Sequence, residues 1–514
     1  MQTESASRRH MYRVLPVVGM ATLLILVFWS MVLPTRAADG VEVGYRDFEY
    51  EEPCSANPTA EKPESKLWWA DGSWWGSLCD EGTYYIHRLD LETQSWMRTD
   101  TELDSRASSR ADTIWDEASQ KLYLVSHKVA EGGVVSKDDG DWGRFYRYSY
   151  DAATDSYRPD NLGAVRGKEF AYVNNAETET LTLAKDSTGQ LWVTYTLNNT
   201  VYVNRTLCDP TCDDGAWGEP FAVPVDEEAS GLAADDISAI VAYNGHIGIM
   251  WSNQNTDSFF FAAHPDDAAD TEGWEVVAAY DGTGISEDHI NLKSLQADPA
   301  GNIFAVVKTS TASPAIALLV CRSGGACTRP SSWTPHVVYR KQGDTDPTRP
   351  ILLIDQTNRN VYVFVTMPEA GGSIYYKVSS IDNVDFGDPT TKGIPFIQST
   401  RDPLTNNPTS TNQTLTSETG LVVLASDSTT RYYLHNFLCL DETGASCPGV
   451  TVTPTISATP TSTRISTPTS TPTSTPTNTT VPTRPTRTPA TTTPTATATA
   501  IADAREMFLP IVIK

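Results

Sequence analysis

The sequence predicts an all-β fold: a propeller of about seven four-stranded blades, with six or eight as the alternatives, closed by an N-terminal strand and followed by a disordered Thr/Pro-rich stalk. Three observations carry that expectation. A unit of tight turn, apolar strand, second strand and aromatic run recurs seven times between residues 41 and 440, and such self-similarity marks a radial repeat. The aromatics on the outer runs, Trp96, Tyr157, Trp217, Trp274, Trp333 and Phe386, lie 53 to 61 residues apart, which suits four strands with long loops. The seventh unit stops after Leu440 one strand short, while residues 41–50 read as a strand without a partner. Joining the two closes the ring and hides an edge that invites aggregation.

The turns set the period. They are Asp71-Gly72, residues 117–119, 186–189, Asn244-Gly245, 298–301, 355–360 and 418–420. All but the first run straight into an alternating or apolar stretch: 121–125, 191–195, 247–251, 303–307, 361–365 and 421–424. Turn residues between such runs are the signature of hairpins. Trp68, Trp69, Trp74 and Trp75 sit where a strand turns two of every four side chains inward, so packing is their expected role rather than a sugar platform.

Composition narrows the partners. A formal charge of −26, with 38 Lys and Arg gathered into no basic stripe, opposes nucleic-acid binding. Arg8, Arg9 and Arg13 precede an uncharged run from 14 to 34 and then Thr35-Arg36-Ala37, so residues 1–38 read as a signal peptide or, uncleaved, a signal anchor that is the one membrane contact expected. The propeller is expected over 39–448, outside the cell or on its surface.

Eight cysteines fit an oxidising compartment. Cys208 and Cys212, Cys321 and Cys327, and Cys439 and Cys447 are close neighbours that read as disulfide-pinned hairpin tips. Cys54 and Cys79 are left to each other, with a bond from Cys54 to Cys439 or Cys447 as the alternative. The pairs fall in separate repeats, so no metal site is expected from them, and no motif calls for a cofactor. Residues 136–141 have the oxygens of a calcium loop without its further ligands and read as an acidic turn.

Residues 449–500 are nearly all Thr, Pro, Ser and Ala, a spacer reaching on the order of 150 Å at about 3.1 Å per residue. The apolar end at 501–514 finishes Phe508-Leu509-Pro510-Ile511-Val512-Ile513-Lys514. It resembles the aromatic-Leu-Pro-aliphatic-basic terminus that follows Thr/Pro stalks in secreted proteins of filamentous bacteria, which implies contact with cell-envelope components.

In a propeller the starts of the innermost strands and the ends of the second strands lie on one face. That geometry selects Arg110, Asp112, Glu179, Asp235, Asp236, Asp288, His289 and Arg349 from the former, and His127, Tyr195, Asn253, Gln254 and Lys308 from the latter. A mixture of carboxylates, guanidinium groups, His and Tyr suits sugar chemistry, in which two carboxyl groups flank the glycosidic bond. Asp236 and Asp288, from adjacent blades, are the first candidate pair, with His289 beside them. The competing expectation is a channel whose polar groups bond each other and water.

The Asp-x-x-Gly turns, Trp217-Gly218-Glu219-Pro220, and Lys185-Asp186-Ser187-Thr188-Gly189-Gln190-Leu191-Trp192 as an incomplete Asp-box resemble sialidase-type propellers with bacterial neuraminidase repeats over residues 41–440. The resemblance implies an exo-glycosidase or a glycan-binding protein. It also implies a Tyr/Glu nucleophile pair, best placed at Tyr195 and Glu179, and arginines on a sugar carboxylate, of which Arg110 and Arg349 are placed. The alternative is a non-enzymatic surface module that presents one propeller face to a protein.

Overall fold

A computed structural model of the chain describes residues 42–60, 63–208, 211–286, 290–294, 301–322 and 327–441. The expectations for residues 1–41, for Asp288, His289 and Cys447, and for the stalk and tail lie outside the described residues.

Seven antiparallel sheets of the expected kind make the propeller. Blade 1 runs outward through Leu67–Ala70, Ser73–Asp80, Thr83–Asp90 and Ser95–Asp104. The inner strands of blades 2 to 7 are Ser109–Asp116, Thr182–Lys185, Ser238–Tyr243, Ile290–Ser294, Thr348–Asp355 and Thr405–Thr409. Neighbouring inner strands touch around the axis. Second strands such as Leu191–Leu197 are buried along their whole length, which is why they read as apolar runs rather than alternations. The outer strand of blade 6 is Ile394–Ile397, so Phe386 precedes it.

The turns behave as their residues dictate. Asp71-Gly72 and Asn244-Gly245 both hold two successive positive φ angles, 47° and 73° in the first and 45° and 73° in the second, as a two-residue hairpin loop needs. At the incomplete Asp-box, Asp186 Oδ1 accepts from the amides of Thr188 and Gln190, both at 2.9 Å, and Oδ2 accepts from Trp192 Nε1 at 2.9 Å. That carboxylate folds its own turn and pins the buried Trp192; it is a part of the fold.

The ring closes as expected. Tyr45–Glu49 pairs antiparallel with Tyr432–Leu438 as the fourth strand of blade 7, Tyr45 opposite His435 and Glu49 opposite Tyr432, with a bulge between. Arg46 Nε bonds Asp402 at 2.9 Å, and buried Asp47 accepts from His435 Nδ1 at 2.8 Å. Three of the expected disulfides are present: Cys208–Cys212, Cys321–Cys327 and Cys54–Cys79, the last deciding between the alternatives for Cys54. Trp68, Trp74 and Trp75 are buried in the core.

Phe48 on the closing strand stacks on His87 of blade 1, ring centres 5.1 Å apart. Burial pushes the His87 imidazole down to about 4, so the unfolded chain takes up a proton between about pH 6.5 and 4 that the folded one refuses. Stability is therefore whole above pH 6.5 and falls as the pH drops towards 4, by up to about 3 kcal/mol. His87→Phe, which keeps the stack without a titrating group, is expected to flatten this part of a plot of melting temperature against pH; an unchanged slope would remove His87 as its source.

Candidate functional site

The connection from the closing strand to blade 1 occupies the face on which the sequence places its ring of candidates. Ser55 lies over Arg110, whose Nη2 donates to the Ser55 hydroxyl at 2.8 Å. The chain then turns into the axis. Glu64 and Lys66 are 3% and 1% exposed, and their segment bonds the inner strands of three other blades: Thr113 donates its amide to the Ser65 carbonyl, Lys66 to that of Ser410, and Leu181 to Glu64 Oε1. Lys66 Nζ meets Glu64 Oε2 at 3.1 Å and the Ala111 carbonyl at 3.2 Å. His127 directs Nε2 at Glu64 Oε1 (2.6 Å) and Nδ1 at the Thr178 carbonyl (2.8 Å). Burial opposes the charge on Glu64, but the Lys66 ammonium and His127 outweigh it and hold the carboxyl at about 2.

The other candidates divide into local groups. Asp236 is wholly buried; it accepts from the amides of Ala233 (2.7 Å) and Gln254 (3.1 Å), and Gln254 Nε2 also bonds Asp235 at 2.9 Å. Burial raises the pKa of Asp236 despite those donors. Asn253 Nδ2 bonds the Ser230 carbonyl at 2.9 Å, and Asp112 accepts from the amides of Ser65 and Leu183 at 2.6 and 2.9 Å. Lys308 and Arg349 come together at Glu369, Lys308 Nζ 2.8 Å from Oε1 and Arg349 Nη1 3.3 Å from the carbonyl. Arg110 and Arg349 are thus held by different partners. Tyr195 packs on Tyr202, ring centres 5.8 Å apart, inside the core cluster of blades 2 and 3; Glu179, half-buried, precedes the inner strand of blade 3. In the acidic turn, Lys128 Nζ bonds Asp141 Oδ1 at 2.7 Å, and no metal-ligating cluster occurs among the described residues.

Two cavities open elsewhere. One, of about 840 Å3, follows the axis from Ser65 and Asp112 to the turns at Asp116, Asp186 and Asn244, the face opposite the candidate ring. The other, of about 1000 Å3, is a groove between blades 1 and 2. Its walls are the outer strand of blade 1, with Thr99, Thr101 and Asp104, and from blade 2 Arg144, Tyr146 and Phe170. Arg144 and Tyr146 project from the third strand of blade 2, Arg144–Asp151, on the face towards blade 1, from which Tyr148 donates to the carbonyls of Glu102 and Leu103. Asp104 lies at the back, where burial opposes its charge but Arg106 outweighs burial and keeps its pKa low.

No family model and no curated protein matches the chain. Among solved structures it is similar to the polysaccharide lyase Uly1, at 10% identity over 78% of this chain and 98% of that one, with a TM-score of 0.45. It is also similar to the six-bladed, fucose-recognising lectin of Aleuria aurantia (10% identity, 66% and 96%, TM-score 0.37) and to the GH62 α-L-arabinofuranosidase catalytic domain of Coprinopsis cinerea (11% identity, 52% and 88%, TM-score 0.31).

The groove was absent from the sequence-based candidates because they were drawn from inner and second strands, and these walls belong to outer ones. One signal for it is legible: Arg144, Tyr146 and Tyr148 recur at a spacing of two, which puts a cation and two phenols on one face of a strand.

Proposed function

We propose that this protein is an extracellular carbohydrate-binding propeller, displayed on its Thr/Pro-rich stalk, that holds a saccharide in the groove between blades 1 and 2. The groove carries the reading: a concavity of about 1000 Å3 that sets hydroxyls and charged groups beside the rings of Tyr146 and Phe170, the mixture that orients a polyhydroxylated ligand. Binding is favoured over hydrolysis because Asp236 and Asp112 of the candidate ring are engaged in holding the fold, Asp236 by two backbone amides and Gln254, Asp112 by two backbone amides. Three disulfides support an oxidising location.

Incubation of the folded body with a glycan panel, reading bound and released sugar together, is expected to give saturable binding without release. Tyr146→Ala should weaken that binding at least about tenfold, the loss of one buried polar and aromatic contact. Release of sugar would make the protein a hydrolase, and binding untouched by changes in the groove would move the site elsewhere.

A further inference from the structure

The axial cavity of about 840 Å3 opens where three neighbouring blades end, and the described residues around it carry more negative charge than positive. Asp116 ends the inner strand of blade 2 and Glu117 follows it, Asp186 follows the inner strand of blade 3, and Asp266 follows the third strand of blade 4, Ser258–Pro265. Among the described residues Lys185 is the one cation that lines the cavity, and it pairs with Asp116. The other three rim carboxylates are held by neutral donors. Glu117 accepts from the indole of Trp115 at 2.7 Å and from Gln120 Nε2 at 3.0 Å, Asp186 from the amides and the indole of its own turn, and Asp266 Oδ2 from the amide and hydroxyl of Ser187 at 3.0 and 2.5 Å. Asp112, at the inner end, interacts with the Lys66 ammonium and is not one of the three.

Neutral donors fix a carboxylate in place without cancelling its charge. Three such charges around the mouth of a concavity with low-dielectric walls concentrate a negative field on its opening. Those walls are apolar: Ile114, Leu183, Ala239, Ile240 and Val241, all from the inner strands of blades 2, 3 and 4. Two polar atoms of lining residues are still open. Thr182 is 3% exposed, yet its hydroxyl has no hydrogen-bond partner among the described residues, and neither has Asp266 Oδ1. Withdrawn polar groups are ordinarily matched, and a ligand that brings donors would match both.

We infer that the axial cavity is a second binding site, which takes ammonium groups carried on slender alkyl chains, as in a linear polyamine or the lysine side chains of a peptide. The methylenes lie along the apolar walls, and the ammonium groups, compact charges on flexible stems, meet Glu117, Asp186 and Asp266. The inference does not rest on the saccharide reading, because the groove between blades 1 and 2 shares no lining residue with this cavity.

Titration calorimetry of the full folded protein compares three trivalent cations: spermidine, a capped trilysine peptide and hexaamminecobalt(III), which has the charge without the methylenes. Spermidine or the peptide is expected to bind saturably and about tenfold or more tightly than the compact ion, and the tighter of the two identifies what carries the ammonium groups. Glu117→Gln combined with Asp266→Asn keeps the shapes and removes two rim charges, and should weaken that binding about tenfold or more. Glu51→Gln combined with Glu52→Gln removes as many exposed charges from the connection after the closing strand, and should leave it within about twofold. An equal affinity for the compact ion, an equal loss in the two double variants, or no saturable binding of either amine overturns the inference. None of these outcomes touches the saccharide reading, which is decided by glycan binding at the groove. If the rim variant does not fold, the comparison of the three cations on the unaltered protein decides alone.

Discussion

Removal of residues 39–52 is expected to leave a body that unfolds several kcal/mol more easily than the intact one, or that aggregates under conditions in which the intact one stays monomeric. The deletion strips blade 7 of its outer strand and exposes the backbone of Tyr432–Leu438 as a sheet edge. It also leaves His435 facing inward without Asp47, two groups that are 0% and 1% exposed in the closed ring. Leaving a buried hydrogen-bonding group without its partner costs about 1–3 kcal/mol, a sizeable part of the roughly 5–15 kcal/mol that holds a typical domain. Tyr50 goes too, and with it the hydrogen bond from its hydroxyl to the Asp427 carbonyl. Guanidinium denaturation, with light scattering as the check on association, measures the effect. A truncated body with the intact midpoint and no association would show that the closing strand contributes nothing to closure.

Glu64→Gln is expected to cost about 3–5 kcal/mol at neutral pH, because it leaves the ammonium of Lys66 buried without its counter-charge. The cost has a pH signature. Glu64 titrates at about 2 in the folded chain against an ordinary value of 4.5, so its carboxylate stabilises the protein fully above about pH 4.5 and loses that contribution as the pH falls towards 2. The gap between Glu64→Gln and the parent should therefore be widest above pH 4.5 and close as acid protonates Glu64 and makes the two side chains alike. Asp104 acts in the same direction, since Arg106 more than offsets its burial, whereas Asp47 and Asp236, raised by burial, act in the opposite one. Reading the difference between the two proteins separates Glu64 from all of these. A gap constant from pH 7 to 3 would mean that the Glu64 charge does not sustain the pair, and adding Lys66→Met to Glu64→Gln should recover part of the loss by removing the stranded ammonium.

Most of the fold was legible because a propeller writes its period into the chain. Each blade is a local meander of antiparallel strands, so Asp71-Gly72 and Asn244-Gly245 mark hairpins that form between near neighbours, and the missing strand of blade 7 could be matched with the unpartnered one at 45–49 by counting. The cysteine pairs 208–212 and 321–327 were legible for the same reason, since their loops are too short to offer other partners. Cys54 stayed ambiguous in the sequence because its partner depended on how the connection from blade 7 to blade 1 crosses the ring.

The candidate site was legible to a lesser degree. Strand order alone put His127, Asp236, Lys308 and Arg349 near strand ends on one face, but it carries no information on what covers that face or what each side chain bonds. Glu64 and Lys66 look like ordinary charged residues of a surface loop, and only the closed ring shows them drawn into the axis between blades 2, 3 and 7. Tyr195 looks like a nucleophile until the neighbouring blade supplies the packing around it.

By itself the sequence determined the repeat and two local disulfides, set by turn chemistry and hydrophobic period within some sixty residues of chain, and by counting strands it gave about seven blades and the closure of the last one. The tertiary structure alone decided that the connection into blade 1 plugs one mouth of the channel, that Asp186 serves its own turn, and that Arg144 meets Asp104 of blade 1 across a groove. Those depend on residues from different blades meeting, and a pattern of apolar and polar positions records which way a side chain faces in its own sheet but not what waits for it on the next one.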